Sequence, residues 1–127
     1  MRDMQAGQGD PSAKSAPNLG ASQWHAIDVP GDVNAVMVAN GRMPDPRYGD
    51  QARQCHWVTS RDWWYRLRFD APTVANCRRI DLVLDGEDGQ AEVYLNGERL
   101  GRMENAFHPN RFDVTGKLRA GRPTGMR

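Results

Sequence analysis

The dipeptide Asn96-Gly97 constrains this chain more tightly than any other feature. A two-residue hairpin loop of type I′ needs positive φ at both central positions, and Asn followed by Gly meets that need at least steric cost. The flanking residues agree. Ala91, Val93 and Leu95 alternate with Glu92 and Tyr94, the period-two pattern of a strand with one face buried. Residues 98–103 then form the returning strand. Antiparallel sheet is therefore specified here locally, without help from distant contacts.

Other runs follow the same rule. In Asp62-Trp63-Trp64-Tyr65-Arg66-Leu67-Arg68-Phe69, the side chains of Trp63, Tyr65, Leu67 and Phe69 are expected on one face. Trp64, Arg66 and Arg68 take the other. Between residues 79 and 84, Ile80, Leu82 and Leu84 read as inward, Asp81 and Val83 as outward. Phe112-Asp113-Val114-Thr115 reads as a short strand, followed by a polar turn over residues 116–121. One segment has helical signals. Pro30-Gly31 makes a turn, Asp32 is an N-cap, Val33, Val36 and Met37 share a face, and Gly41 ends the helix after about two turns. Residues 42–61 read as a long irregular stretch, because Pro44 and Pro46 exclude regular structure between 43 and 50. The nearby Trp57, Trp63 and Trp64 favour its being packed on itself. Several short strands, one small helix and no βαβ alternation predict an all-β sandwich.

The length of 127 residues suits one domain. It falls well short of the roughly 250 residues of a (β/α)₈ barrel. Residues 1–22 hold no aromatic residue and no apolar period, so they are expected to be a flexible leader, with ordered sequence from Trp24. The sandwich domain is expected over 23–121. Residues 122–127 carry no strand pattern and read as an atypical tail.

Charge narrows the partners. Seventeen basic residues, only Lys14 and Lys117 being lysines, balance sixteen acidic ones for a net +1. Because the two signs are interspersed, no electrostatic footprint for nucleic acid exists. No run of about 18 apolar residues offers a membrane span, and residues 1–22 lack the apolar core of a secretory signal. A cytoplasmic protein without membrane or nucleic-acid partners is expected.

Residues that could carry chemistry are sparse. His25, His56 and His108 lack metal-ligand spacing. Asp85-Gly86-Glu87-Asp88-Gly89 lacks the alternate carboxylates of a calcium loop and reads as a connecting turn. Phosphate-loop, dinucleotide and nucleophile-elbow motifs are absent. No catalytic residue, metal or cofactor is therefore expected. Cys55 and Cys77 suit two reduced thiols, with a single bridge as the alternative. Trp57 and Trp64 are the candidates for carbohydrate contact, since an exposed indole stacks on the apolar face of a sugar. The competing use of such residues is to fill a core or an interdomain seam.

The order of several segments resembles a known family. Trp24-His25-Ala26-Ile27-Asp28-Val29-Pro30-Gly31 is followed by Gly41-Arg42-Met43-Pro44-Asp45-Pro46-Arg47-Tyr48-Gly49-Asp50, then Trp57-Val58 and Asp62-Trp63-Trp64-Tyr65-Arg66. Asp85-Gly86, Ala91-Glu92-Val93-Tyr94-Leu95-Asn96-Gly97 and Arg111-Phe112-Asp113-Val114-Thr115 complete the set. The run resembles the amino-terminal sugar-binding domain of family 2 glycoside hydrolases, in the β-mannosidase and exo-β-glucosaminidase branch. Asn34 stands where the family often has His, and Gln51-Ala52 replaces its usual Asn-Glu. The resemblance implies a galactose-binding-domain-like jelly-roll β-sandwich with one short helix, here lacking its last strand. It also implies partners: an immunoglobulin-like domain and a barrel carrying both catalytic glutamates of a retaining exo-β-glycosidase. β-Linked mannoside or glucosaminide sugars are the implied ligands. The expected role is non-catalytic, supporting the barrel and shaping the rim of the sugar site. A free-standing carbohydrate-binding module and an inactive structural fragment are the alternatives.

Overall fold

A computed structural model describes residues 1–5, 24–72, 77–87, 89–119 and 123–126. The described residues divide between Tyr65 and Arg66 into two compact units. Among the described residues, no helix is long and apolar enough to cross a membrane.

The first unit holds strand β1 (Arg2–Gln5), helix α1 (Val33–Ala39), a 3₁₀ helix (Gln51–Ser60) and strand β2 (Arg61–Trp64). Helix α1 forms where its signals place it. The Asp32 carboxylate accepts the Asn34 N–H at 3.0 Å, satisfying one of the amides that a first turn leaves open. At the other end Arg42 N–H reaches the Met37 carbonyl and Gly41 N–H the Val38 carbonyl, both at 2.9 Å, with Gly41 at φ 65°. That is a Schellman closure, and it needs the left-handed residue that glycine supplies. Met37 is buried with Met1, Met43, Cys55 and Val58, and Ile27, Val33, Val36, Trp57, Trp63 and Tyr65 pack around them.

Two expectations change in this unit. Residues 2–5, read as part of a flexible leader ahead of Trp24, form β1 antiparallel to β2 with Asp3 opposite Trp63. A strand is stabilised by backbone hydrogen bonds to an open edge, which side-chain composition does not reveal. Residues 6–23 of that leader lie outside the described residues. The second half of the irregular stretch is also regular, since Gln51–Ser60 forms the 3₁₀ helix soon after the prolines end. Burial of Cys55 and Val58, three residues apart, fits the three-residue turn of that helix.

The second unit contains β3 (Leu67–Asp70), β4 (Asp81–Leu84), β5 (Ala91–Leu95), β6 (Glu98–Met103), β7 (Asn110–Asp113) and β8 (Pro123–Met126). Its four-stranded sheet runs β3-β8-β5-β6, and β4 pairs with β7 in a two-stranded sheet. All these pairings are antiparallel. The hairpin forms as read, with Asn96 at φ 52° and Gly97 at φ 95°, close to an ideal type I′ turn. Val93, Tyr94, Leu95, Met103 and Val114 are buried. Ile80, Leu82 and Leu84 are half-buried and Val83 is exposed, as their alternation predicts, but Asp81, expected outward, is half-buried too, where it accepts from Arg79 Nε at 2.8 Å.

Three expectations change here. The strand read across residues 62–69 breaks at Tyr65 and Arg66, and its halves pair with β1 and β8 respectively. Leu67, expected inward, is 52% exposed and begins the edge strand β3. Tyr94, expected outward, is buried. The β5–β6 register slips between Val93 and Tyr94, skipping Leu100, so β6 carries the extra residue of a bulge. The Tyr94 hydroxyl donates to Glu92 Oε2 at 2.5 Å, which permits the ring to be covered without stranding its polar end. Finally, residues 123–126, read as a tail without strand pattern, form β8 against β3 and β5. Pro123 takes the first position of that strand, where its missing N–H is tolerated. The short strand read at 112–115 lies slightly earlier, over Asn110–Asp113, and Val114 is buried just beyond it.

Candidate functional site

The first unit presents two groups of side chains. In the packed group, the rings of Trp57 and Trp63 lie 6.1 Å apart at 43°, within the range of favourable tilted aromatic pairs. The Trp63 indole Nε1–H donates to the Val58 carbonyl at 2.9 Å. The Cys55 sulfur lies 3.4 Å from the Pro44 carbonyl and 3.3 Å from that of Gln51. These contacts hold the 3₁₀ helix, the proline loop and β2 together. The expectation that the tryptophans pack the irregular stretch on itself is met by Trp57 and Trp63. Trp64 is half-buried and, as the next residue of the strand, takes the opposite face of β2 from Trp63. Trp57 and Trp64 therefore do not share one surface.

The second group is the loop between residues 43 and 50. Asp45, Pro46, Arg47 and Tyr48 form a β-turn closed by Tyr48 N–H to the Asp45 carbonyl at 3.2 Å, with Asp and Pro in the positions that turn favours. Asp45 Oδ1 accepts the Arg47 backbone N–H at 3.0 Å, and the guanidinium adds Nε to Oδ1 at 3.0 Å and Nη2 to Oδ2 at 2.7 Å. The Arg47 side chain is 82% exposed and Tyr48 is 66% exposed. Sequence reading did not single out these residues. Their signal was Asp-Pro followed two residues after the Asp by a bidentate donor, an Asx turn with a charged lock.

That lock has an electrostatic signature. Side-chain and backbone hydrogen bonds from Arg47 hold the Asp45 carboxyl down from the ordinary 3.8 to about 2. A depressed carboxyl pKa adds stability above the unfolded value, which is lost as pH falls from about 4 through about 2. We expect the Asp45 carboxyl carbon to titrate near pH 2 by NMR and to return toward 3.8 in Arg47→Ala. A midpoint near 3.8 in the unmodified chain would show the lock to be absent in solution.

The second unit carries a polar network on its hairpin and an apolar cleft. Glu92 accepts from Tyr94 and also from Arg99, whose Nη2 lies 3.0 Å from Oε1. The Tyr94 hydroxyl, then the guanidinium, lower the Glu92 pKa, while burial and the adjacent carboxylate raise that of Tyr94. Asn96 Nδ2 donates to the Lys117 carbonyl at 3.0 Å, tying the turn to the loop after β7. A cleft of about 120 Å³ is lined chiefly by Phe69, Ile80, Leu82, Leu95, Val114 and Leu118. Among the described residues, no three metal-ligating side chains gather in a group that could hold a metal. Cys55 is a buried free thiol and Cys77 an exposed one.

The chain can be placed among known proteins. The family described as glycosyl hydrolase 2 galactose-binding domain-like matches residues 11–124. β-Mannosidase B of Aspergillus terreus is 34% identical over 110 residues, which is 86% of this chain and 13% of that protein. β-D-Mannosidase of Dictyoglomus thermophilum superposes with a TM-score of 0.75 at 31% identity, covering 85% of this chain and 13% of that one. The exo-chitosanase of Amycolatopsis orientalis superposes with a TM-score of 0.80 over 98% of this chain and 15% of its own, at 24% identity, a likeness of fold alone. The chain thus spans about 13% of the length of the β-mannosidases it matches. With its antiparallel sheets, short helices and capped hairpin matched over most of its length, the chain belongs to the galactose-binding-like amino-terminal domains of family 2 glycoside hydrolases.

Proposed function

We propose that this chain serves as the non-catalytic amino-terminal domain of a β-mannosidase-like hydrolase. In that role it supports a catalytic barrel and shapes the rim of its sugar site. The observation that carries this reading is the asymmetry of coverage: β-mannosidases match 86% of this chain with 13% of their own length. The partners proposed are an immunoglobulin-like domain and the barrel, which would hold the catalytic glutamates. The substrates of the whole assembly are proposed to be β-linked mannosides or glucosaminides. A neutral sugar needs no electrostatic capture, in keeping with the net charge of +1.

Trp57 and Trp64 remain the proposed tryptophan contacts for carbohydrate. The stacking of Trp57 on Trp63 supports a packing role for Trp57. Trp64, on the other face of β2, is the better of the two for meeting a sugar or a neighbouring domain.

The purified chain is expected to release no p-nitrophenol from the aryl β-mannoside above the buffer blank. Turnover that a single substitution within these 127 residues abolishes would overturn the non-catalytic assignment. Adding the chain to a β-mannosidase lacking its own first domain is expected to restore thermal stability and activity to that truncated enzyme.

A further inference from the structure

We propose that Asn40 is a site of spontaneous deamidation, converting to aspartate and isoaspartate in the folded chain, while the fold protects Asn96 from the same reaction. The sequence holds two Asn-Gly pairs, Asn40-Gly41 and Asn96-Gly97. Asparagine is thermolabile, and a following glycine, having no Cβ, lets its own amide nitrogen swing over the asparagine side chain. The Gly41 nitrogen gives its proton to water or hydroxide and attacks Asn40 Cγ. The N–Cγ bond forms, the Cγ–Nδ2 bond breaks, and the leaving nitrogen takes up a proton and departs as ammonia. Water then opens the cyclic imide at one of its two carbonyl carbons. Attack at Cγ frees the Gly41 nitrogen there and gives aspartate. Attack at the main-chain carbon leaves that nitrogen on Cγ and gives isoaspartate.

Both sites are restrained at rest. Asn40 has ψ 6°, which turns the Gly41 nitrogen away from the side chain. The Gly41 N–H is donated to the Val38 carbonyl at 2.9 Å, and Asn40 Nδ2 to the Val36 carbonyl at 2.8 Å. Asn96 is held in its turn at φ 52°, with Nδ2 donating to the Lys117 carbonyl at 3.0 Å. Reaction therefore needs local opening, and the cost of opening separates the two. Ala39, Asn40, Gly41 and Arg42 are all exposed. No atom lies within 4 Å of the place a Gly41 Cβ would take, and only the end of a seven-residue helix has to fray. Freeing Asn96 instead detaches the turn from Lys117 and disturbs Leu95, which is 1% exposed and paired with both Glu98 and Met126. The product at Asn40 is unfavourable where it forms. Its new carboxylate faces the negative end of helix α1. In isoaspartate an added backbone methylene prevents the Gly41–Val38 and Arg42–Met37 hydrogen bonds from closing together.

The test ages the 127-residue chain over weeks at mildly alkaline pH and body temperature, in buffer and in concentrated urea, and follows it by tryptic peptide mass mapping. Cleavage after lysine and arginine places Asn40 in the peptide of residues 15–42 and Asn96 in that of residues 80–99. In buffer, conversion at Asn40 is expected to outpace that at Asn96 by about tenfold or more. An isoaspartyl methyltransferase is expected to label the first peptide predominantly. In urea the two rates are expected to converge, since both are then Asn-Gly in an open chain. Asn40→Gln is expected to remove conversion from the first peptide, which excludes Asn18 and Asn34 as its source. Equal rates in buffer, or a faster Asn96, overturn the proposal. So does an Asn40 that converts in urea but not in buffer, or conversion of the first peptide that survives Asn40→Gln. Rates that differ as much in urea as in buffer would place the cause in local sequence and overturn the protection of Asn96 by the fold.

Discussion

Leu95→Ala is expected to lower the unfolding free energy by about 2–5 kcal/mol, the range for truncating a buried leucine. Leu95 is 1% exposed and closes β5, facing Glu98 of β6 and Met126 of β8 in register. Truncation removes apolar contacts from the floor of the cleft it shares with Phe69, Val114 and Leu118. Because small domains have only about 5–15 kcal/mol of total stability, a loss of this size moves the urea midpoint strongly. The control is Leu67→Ala. Leu67 is an edge residue and half-exposed, so its truncation is expected to cost within about 0.5 kcal/mol. Equal midpoint shifts for the two variants would contradict the burial pattern, and with it the placement of β8 against β3 and β5.

Gly86→Ala is the second large effect. A Cβ at Gly86 would sit 2.3 Å from the Ala106 carbonyl oxygen and 3.3 Å from its carbon. The obstructing atoms are backbone, so no rotamer change relieves the contact, and one of the two connecting loops must move. The expected loss is about 1–3 kcal/mol or more. Gly41→Ala separates this steric effect from backbone strain. Gly41 has φ 65°, and no atom lies within 4 Å of the place its Cβ would take, so only the left-handed penalty of about 1–2 kcal/mol applies. Thermal melts of both variants decide the matter. A Gly86→Ala protein as stable as the parent would mean that the loop of residues 85–87 does not approach Ala106 in solution.

Both effects concern the framework of the second unit. Gly101 illustrates how closely the second unit is packed: a Cβ there would lie 2.7 Å from Phe112 Cε1, so the glycine is what lets the ring cross β6. In the first unit the same service is performed by hydrogen bonds. Trp63 is anchored to Val58 and Asp45 to Arg47, and the loop carrying Tyr48 is held between them in the chain.

The parts legible from sequence are those whose determinants lie within a few residues. Asn96-Gly97 specifies a type I′ turn because the conformational restriction belongs to those two residues themselves. Asp32 and Gly41 bound helix α1 because capping satisfies amides and carbonyls one turn away. The alternation of Ile80, Leu82 and Leu84 marks a buried face since the pleat has a period of two. The family itself was legible for a related reason, as it rests on the order of such local motifs along the chain. The candidate turn at Asp45 was less so. Its prolines exclude helix and strand without specifying what replaces them, and the pairing of Asp45 with Arg47 becomes evident only once the backbone has turned.

Tertiary structure decided what depends on distant partners. Residues 2–5 and 123–126 have no convincing strand pattern, yet each lies along an open edge, of β2 in one case and of β3 and β5 in the other. Unpaired backbone N–H and C=O groups are costly to bury whatever side chains they carry, so any compatible segment that reaches them becomes a strand. The run from Asp62 to Phe69 alternates without interruption, but two different partner strands divide it at Tyr65 and Arg66 and leave Leu67 at an edge. Tyr94 is buried although it alternates with the buried Val93 and Leu95, so both faces of β5 are covered there, and the Glu92 carboxylate accepts its hydroxyl hydrogen bond. Sequence by itself determined the class of sheet, the hairpin, the helix and the family. Pairing partners, register and burial were settled by the tertiary structure, because a hydrogen-bonding edge is a property of two segments and is written in neither alone.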